Sequence, residues 1–401
     1  MTVAAAESPT ATPSIATVDS DGPLLHAPVA KPQWMHYGDH IRILGTIAVV
    51  VGHVSDMVLY REPALSHAWW VCNGYDAAVR WAVPIYIMLS GALLLDPARG
   101  ETPSVFYRKR LSRLGVPIVF WSAFFMWFSV DYTGWVPNWG AAWLNLLKGE
   151  PYVHMHFIFR IAGLYAFTPM LRVFVRHAPR PMVVVTVVLL LCVSAADTVA
   201  NNFTETELSL FFRFVPFLGY YLFGYLLREG ARSRRTVVLC WAGLVVSIAV
   251  LCLGTGWTVD RFIVRAGRTT IYGPPSLGMM LYDFVSPVRV VMAICAWVVL
   301  VNLFRDPWPH SKTGRSAIRF WANTTLGLYL IHPLFRELWW AGLRIGSHPP
   351  LIPGGVDATH FGQTPMNVWV GVPVVAALVY VPALLATVLL MRIPGVRRIT
   401  G

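Results

Sequence analysis

One histidine lies in the first long apolar stretch, on the same predicted helix face as an arginine and an aspartate. Ten residues separate Arg42 from His53, a spacing that returns the helix to the same face after about 16 Å along its axis. Asp56 follows on that face, where its carboxylate can hydrogen-bond the imidazole and fix its tautomer. An imidazole, with an ordinary pKa near 6.5, suits general-base removal of a proton from an attacking hydroxyl. A buried histidine can equally be an inert core residue.

A basic cluster follows the second apolar stretch. Arg108, Lys109, Arg110 and Arg113 fall within eight residues of sequence, 106–113. Arg110 and Arg113 share a helix face at the start of the next stretch. Planar guanidinium groups match phosphate oxygens, so this pair is a candidate for holding the phosphates of coenzyme A. The alternative is an electrostatic anchor at the membrane surface.

The composition indicates that these residues are positioned by membrane-spanning helices. The chain has 401 residues, of which 56% are hydrophobic and 13% charged, so a soluble single-core protein is excluded on composition. Apolar runs of about 20 residues match the thickness of the hydrocarbon core. They lack the alternation of barrel strands and are predicted to be α-helices. About ten spans are expected, at 41–60, 76–95, 112–132, 156–174, 181–200, 208–227, 236–255, 279–303, 320–342 and 367–391.

The basic residues predict the orientation of the chain in the membrane. The net charge is +12, and most lysines and arginines near span ends fall on the side of the N-terminus. This bias follows the positive-inside rule, so both termini are expected in the cytoplasm and the charge does not call for nucleic-acid binding. The other side holds only Arg61, Lys148, Arg261, Arg265, Arg268 and Arg344.

The remaining composition divides the chain into two regions. Residues 1–33 are rich in Ala, Ser, Thr and Pro, and are interpreted as a disordered cytoplasmic tail rather than a signal peptide. Residues 34–401 are expected to form one polytopic membrane domain. The five cysteines show no metal-ligand spacing, so they are interpreted as reduced packing residues and no metal is expected.

Several arginines stand where lipid would otherwise surround them. An isolated charge at the centre of a membrane helix costs at least about 2.5 kcal/mol, so such side chains face partners or a polar cavity. Asp76 and Arg80 are four residues apart and are predicted to pair. Together these arginines predict a polar interior. They are Arg42, Arg80, Arg160, Arg213, Arg289 and Arg336.

Three arginines on the predicted outer side break the positive-inside rule. Arg261, Arg265 and Arg268 lie in the outer segment 256–278. One hypothesis is that they meet an anionic acceptor, such as a sugar on a lipid phosphate. The alternative is that the segment folds against acidic residues of a neighbouring loop, Glu205 and Glu207.

Five motifs, in order and spacing, resemble the acyltransferase 3 family of bacterial membrane acyltransferases. The resemblance covers roughly residues 36–392 and is nearest to the branch that O-acetylates surface polysaccharides and their lipid-linked precursors, including the enterobacterial common antigen. The motifs are Asp39-His-Ile-Arg42 with His53; Val83-Pro84-Ile-Tyr-Ile-Met-Leu-Ser90-Gly91; Arg110-Leu-Ser-Arg113; Tyr152-Val-His154-Met-His156-Phe157; and Leu326-Gly327-Leu-Tyr329-Leu-Ile-His332-Pro333.

The resemblance implies a ten-helix core that moves an acyl group, expected to be acetyl, from acyl-CoA to a hydroxyl of a cell-surface glycan, glycolipid or lipid-linked saccharide. Acyl-CoA would be a co-substrate, and no permanently bound cofactor is expected. By the motif match His53 and Arg42 would be essential, and Arg110 and Arg113 would lie near the CoA phosphates. The protein would reside in the plasma membrane.

Other motif residues have open roles at this stage. His154 and His156 stand where the family often shows His-Leu-Trp-Phe, and a histidine in place of the tryptophan makes His156 either an acceptor-side or an interfacial residue. For Tyr329 and His332 a structural hydrogen bond and a chemical role remain open. Ser90 lacks the Gly-x-Ser-x-Gly setting of an activated serine, so close helix packing is the favoured reading.

Two other functions share these sequence features. A glycolipid or polysaccharide exporter without acyl transfer would also use basic loops and an aromatic interior. An acyltransferase acting on a small molecule, such as a macrolide sugar, would use the same catalytic residues. Loss of activity with His53 removed separates the enzymes from the exporter.

Overall fold

The computed structural model describes six segments of the chain, and every regular element within them is helical. The predicted tail at 1–33 lies outside the described residues. The described segments are 36–204, 213–228, 232–269, 277–306, 308–342 and 367–401. Their α-helices are α1 (His36–Leu59), α2 (His67–Val79), α3 (Ala82–Leu94), α4 (Pro103–Trp127), α5 (Trp139–Leu147), α6 (His156–His177), α7 (Arg180–Thr204), α8 (Leu218–Leu226), α9 (Arg234–Val259), α10 (Pro287–Leu303), α11 (Lys312–Gly342) and α12 (Val368–Arg392).

Eight helical stretches in the described residues are long and apolar enough to cross a bilayer. This is the architecture of an all-helical integral membrane protein, because helices satisfy their own backbone hydrogen bonds in lipid. Eight of the ten predicted spans are confirmed as such stretches. They are Tyr37–Leu59, His67–Leu94, Pro103–Tyr132, His156–His177, Arg180–Asn201, Arg234–Val264, Leu277–Leu303 and Val368–Arg392.

The other two predicted spans correspond to helices of a different character. The span predicted at 208–227 is represented by the shorter apolar stretch Val215–Leu226, and its first residues lie outside the described part of the chain. The span predicted at 320–342 belongs to α11. Five charged residues make α11 less apolar than the eight stretches: Lys312, Arg315, Arg319, Arg336 and Glu337.

The second predicted span is a broken helix. α2 ends at Val79 and α3 begins at Ala82. Pro84 has no N–H, so the carbonyl of Arg80, four residues earlier, receives no bond from it. Nη2 of Arg289 donates to that carbonyl at 2.8 Å. A buried arginine of α10 therefore satisfies the backbone at the break.

α1 lies at the centre of the helix bundle, in contact with α2, α3, α11 and α12. α3 and α8 cross at closest range through two glycines. A Cβ atom added to Gly91 would lie 1.8 Å from the carbonyl oxygen of Tyr221, and one added to Gly224 would lie 1.9 Å from that of Met88. This crossing confirms that the small residues near Ser90 allow close packing.

The six arginines predicted inside or beside spans all have partners among the described residues. The predicted pair is confirmed, since Nε of Arg80 donates to Oδ2 of Asp76 at 2.8 Å. The interior is polar where these groups meet, as the sequence predicted. Partners are Asp39 for Arg42, Asp56 and Asp76 for Arg80, Glu150 for Arg160 and Arg213, the carbonyls of Tyr282 and Arg80 for Arg289, and Glu337 for Arg336.

Candidate functional site

A cavity of about 180 Å³ brings together the three arginines that the motifs single out. We call it the basic cavity. Arg42 reaches it from the first turns of α1, and Arg110 and Arg113 reach it from α4. Apolar and aromatic side chains form most of the remaining wall. The lining also includes Thr46, Val49, Val83, Tyr86, Leu89, Ser90, Leu93, Leu94, Leu114, Phe157, Ile158, Ile161, Tyr165, Ala322, Thr325, Leu326 and Tyr329.

Aromatic neighbours flank the guanidinium of Arg110 and bond the backbone at Arg42. The guanidinium carbon of Arg110 lies 5.2 Å from the ring centre of Phe106 and 5.8 Å from that of Tyr165. Its Nε is buried without a hydrogen-bond partner among the described residues. At Arg42, the backbone carbonyl accepts a 2.5 Å hydrogen bond from the Tyr86 hydroxyl. The arrangement can hold an anionic group beside an apolar chain.

Three histidines form a cluster next to this cavity. The ring centres of His53 and His332 are 5.3 Å apart, and those of His154 and His332 are 5.5 Å apart. They come from α1, from α11 and from the loop before α6. We call them the histidine cluster. Among the described residues, no group of three or more His, Cys, Asp or Glu side chains is arranged to hold a metal ion.

The imidazole nitrogens of the histidine cluster are largely free of hydrogen bonds. Nδ1 of His332 donates to the carbonyl of Tyr329 at 2.7 Å, so its Nε2 carries a lone pair. That Nε2, both nitrogens of His154 and Nδ1 of His53 are buried with no partner in the described structure. Burial lowers the pKa of His154 well below its ordinary value, and His332 and Arg336 lower it further. His154 is therefore neutral at pH 7.

The predicted hydrogen bond between Asp56 and the His53 imidazole is not formed. Oδ1 of Asp56 instead accepts from Nη2 of Arg80 at 2.7 Å, and Arg80 also binds Asp76. A charged guanidinium is a stronger partner for a carboxylate than a neutral imidazole is. Asp56 therefore belongs to an ion-pair network adjoining the histidine cluster.

The histidine cluster lies about one helical turn beyond the end of the basic cavity. The lining reaches Val49 on α1 and Tyr329 on α11. His53 follows Val49 by four residues and His332 follows Tyr329 by three, so both project from the next turn of the same faces. The Tyr329 hydroxyl donates to the carbonyl of His154. Tyr329 thus separates the described cavity from the cluster.

A second cavity, of about 400 Å³, lies on the other side of the histidine cluster. We call it the aromatic cavity. Tyr152 joins it to the cluster: its ring centre is 5.8 Å from that of His154, and its hydroxyl donates to Glu337 at 3.2 Å. The lining is Ser129, Trp135, Val136, Asn145, Glu150, Pro151, Tyr152, Val153, His156, Arg160 and Phe284.

The two cavities open toward opposite ends of the bundle. Arg113, in the first half of α4, lines the basic cavity, and Ser129, just beyond the end of α4, lines the aromatic one. Ser129 follows Arg113 by sixteen positions along the helix, a rise of about 24 Å. The first turns of α6 lie between the cavities, with Ile161 facing one and Arg160 facing the other.

The predicted outer arginines do not join either cavity. Arg261 and Arg265 are exposed, and Arg265 pairs with Asp260 at 2.8 Å. Neither they nor Arg268 line the cavities described above. The alternative partners Glu205 and Glu207 lie outside the described residues.

Several side chains of this region were given no role from the sequence. Tyr86 and Tyr165 line the basic cavity, and Trp135, Glu150 and Tyr152 line the aromatic one. Glu150 could have been predicted as a partner of Arg160 and Arg213. Both arginines require an acidic partner, and few acidic residues lie near them in the sequence. Tyr86 and Tyr152 lie within the family motifs but were given no role, whereas Tyr165 and Trp135 carried no such signal in a chain with 17 Trp, 15 Tyr and 21 Phe.

The helices and cavities belong to a membrane acyltransferase. The chain is a member of the acyltransferase 3 family, whose acyltransferase domain matches residues 35–392. The predicted family is thereby confirmed over nearly the whole chain. Neither a curated protein nor a solved structure gave a match.

Proposed function

We propose that the protein transfers an acyl group, acetyl in the simplest case, from acyl-CoA to a hydroxyl of a glycan, glycolipid or lipid-linked saccharide. One observation carries the proposal: three arginines converge on a cavity that ends one helical turn from a cluster of unpartnered imidazole nitrogens. Buried polar atoms without hydrogen-bond partners are rare in folded proteins, and a bound reacting group would supply the missing partners here.

The basic cavity is the proposed donor site. Arg110 and Arg113 bind the phosphates of coenzyme A at the mouth, assisted by Arg42. The apolar wall that includes Leu89 and Ile161 receives the pantetheine arm. The thioester then points toward Tyr329 and the histidines beyond it. Under the positive-inside rule this mouth opens to the cytoplasm, where acyl-CoA is made.

The proposed chemistry is general-base catalysis by His53. An unprotonated nitrogen of the His53 imidazole removes the proton of the acceptor hydroxyl as its oxygen attacks the thioester carbon. The new C–O bond forms, the C–S bond breaks, and the imidazolium returns its proton to the CoA thiolate. A two-step variant forms an acyl-imidazole before the acceptor attacks. Detection of an acyl-histidine after denaturation distinguishes this variant from direct transfer.

The same arrangement supports a transfer from one side of the membrane to the other. With both termini in the cytoplasm, the aromatic cavity faces the outside of the plasma membrane. The acyl group would then cross the membrane through the layer formed by Tyr329 and the histidine cluster. An acceptor at the outer surface meets it there.

The test uses the full chain purified in detergent, with radiolabelled acetyl-CoA and a glycolipid extract of the native membrane. Wild type is expected to release CoA and label an acceptor. His53→Ala is expected to lower the turnover about 10²- to 10⁴-fold, the usual contribution of a general base. His177→Ala, an exposed histidine at the end of α6, is the matched control. Equal turnover by wild type and His53→Ala would remove the proposed mechanism.

A further inference from the structure

The aromatic cavity contains an arginine whose hydrogen-bonding capacity is mostly unused. Nε and Nη1 of Arg160 are buried and have no hydrogen-bond partner among the described residues. Nη2 lies 3.7 Å from Oε1 of Glu150. The guanidinium is fixed between two rings, 5.0 Å from the centre of Phe217 and 4.7 Å from that of Phe284. Two nitrogens of a rigid cation, with three N–H donors between them, thus lack a partner and could bind a ligand.

His156 adds an acceptor to the same cavity. Its Nδ1 donates to the carbonyl of Val153 at 2.6 Å, which leaves a lone pair on Nε2. Nε2 is buried without a partner in the described structure. A hydroxyl beside an anionic group would satisfy the imidazole and the guanidinium together.

The charge around the cavity favours an anion. Glu150 is the acidic residue of the lining, and its Oε1 is shared by the guanidinium groups of Arg160 and Arg213. One carboxylate therefore faces two guanidinium groups. A carboxylate or phosphate oxygen on a ligand would complete the pairing of Arg160.

The rest of the wall suits a sugar ring. The half-buried ring of Trp135 lines the cavity, and the buried ring of Tyr152, 6.4 Å from it at an angle of 26°, stacks on Phe125 at 4.6 Å. The C–H face of a pyranose is apolar and covers such a ring, while its hydroxyls remain free for hydrogen bonds. The volume of about 400 Å³ falls within the usual range of about 300–1,000 Å³ for small-molecule sites.

We infer that the aromatic cavity binds the acceptor and that the acceptor is an anionic sugar, with its carboxylate or phosphate on Arg160 and a hydroxyl on His156. The inference rests on the proposed function, because a hydroxyl of this sugar receives the acyl group. Tyr152 stands between the cavity and the histidine cluster and marks where that hydroxyl enters.

The test measures sugar binding to the full chain in lipid nanodiscs by saturation-transfer NMR. The probes are methyl glucuronide, glucose 6-phosphate and the neutral methyl glucoside. At least one anionic probe is expected to bind wild type about tenfold or more tightly than methyl glucoside, since charge-assisted hydrogen bonds to arginine are strong. Preferential binding of methyl glucuronide indicates a carboxylate ligand, and preferential binding of glucose 6-phosphate indicates a phosphate ligand. Equal binding of all three probes overturns the inference.

Variants assign the preference to Arg160. Arg160→Gln is expected to abolish the preference for the anionic probe, and Arg160→Lys to retain part of it. Arg261→Gln, an exposed arginine outside both cavities, is the matched control. An anion preference that survives in a folded Arg160→Gln protein overturns the inference. Arg160→Lys keeps the charge, so it supplies the comparison if Arg160→Gln fails to fold.

Binding of CoA separates this inference from the proposed function. If wild type binds CoA and releases it from acetyl-CoA but shows no anion preference, the acceptor inference fails and the acyl-transfer proposal stands. If the anionic sugar binds while CoA does not, the acyl-transfer proposal fails and the sugar site stands.

Discussion

At the scale of single residues, the histidine cluster distinguishes this interior from a packed apolar core. His53, His154 and His332 bury four imidazole nitrogens that no described residue satisfies. An unsatisfied buried polar atom costs about 1–3 kcal/mol. Such a cost in three neighbouring side chains is understood if a substrate or water completes their hydrogen bonds during the reaction.

The first residue-scale prediction concerns Asp56. Asp56→Asn removes a charge from the pair with Arg80, which is joined at 2.7 Å. The free energy of unfolding is expected to fall by about 1.5–3 kcal/mol, the range for hydrogen bonds to charged groups. The pH dependence of turnover is expected to stay as in wild type, since Asp56 does not hold the imidazole.

Denaturant unfolding in detergent and a pH–rate profile provide the two measurements. Asp39→Asn is the control, because it removes another acidic side chain from α1, the one that pairs with Arg42. A shifted pH profile with unchanged stability would show that Asp56 orients His53 after all.

The second residue-scale prediction concerns Arg110 and Arg113, the proposed ligands of the CoA phosphates. Removing either guanidinium, in Arg110→Gln or Arg113→Gln, is expected to raise KM for acetyl-CoA about tenfold with little change in kcat. The reason is that a phosphate contact binds ground state and transition state alike. Steady-state kinetics with acetyl-CoA measures both constants.

A donor lacking phosphate gives the control for this prediction. Acetyl-pantetheine has no nucleotide, so its KM should respond far less to either substitution. An equal rise in KM for both donors would assign Arg110 and Arg113 to helix anchoring instead.

At the scale of elements, the crossing of α3 and α8 fixes one wall of the basic cavity. Ser90 lines that cavity, and the next residue, Gly91, contacts the backbone of α8. The position of the cavity wall therefore depends on a contact that only glycine permits. Likewise, Arg289 bonds the carbonyl at the α2–α3 break and keeps the two half-helices in register.

The element-scale prediction compares two glycines. Gly91→Ala places a methyl group 1.8 Å from the carbonyl oxygen of Tyr221, so the helices must separate. The loss of stability is expected to exceed the roughly 1–3 kcal/mol of ordinary overpacking. Gly74→Ala is the control, because no atom lies within 4 Å of its added methyl. It should be neutral or stabilising by up to about 1 kcal/mol.

Thermal unfolding followed by tryptophan fluorescence measures both variants in one detergent. Similar melting temperatures for Gly91→Ala and Gly74→Ala would contradict the direct backbone contact between α3 and α8.

At the scale of the whole molecule, two cavities meet from opposite ends at one layer of polar side chains. Tyr329 bounds the basic cavity, Tyr152 bounds the aromatic cavity, and the histidine cluster lies between them. A group passed from one side to the other needs to traverse only this layer. In the proposed reaction, donor and acceptor therefore approach from different sides of the membrane without a continuous water-filled channel.

The whole-molecule prediction concerns orientation. In a cysteine-free background, Arg108→Cys is expected to react with a membrane-impermeant maleimide only in inside-out vesicles, and Lys148→Cys only in intact cells. Both positions are exposed, and the positive-inside rule assigns them to opposite sides. Labelling of both from one side would refute the assigned topology, whereas the reverse pattern would invert it.

Local features of the chain were sufficient for the membrane class, the positions of the helices and the family. A 20-residue apolar run can satisfy its backbone in lipid only as a helix, and this requirement acts within each segment. The pair Asp76–Arg80 was predictable for the same reason, because helix geometry alone brings residues four apart together. The motif residues Arg42, Arg110 and Arg113 could be chosen from spacing and resemblance.

Only the tertiary structure decided what these residues meet. His53 lies beside His332 of α11 and His154 of a loop, and Asp56 pairs with Arg80 instead of His53. Helix spacing specifies which side chains share a face, but not which face of another helix covers them. Packing between helices decides which faces meet, and it depends on close glycine contacts and on the pairing of buried charges.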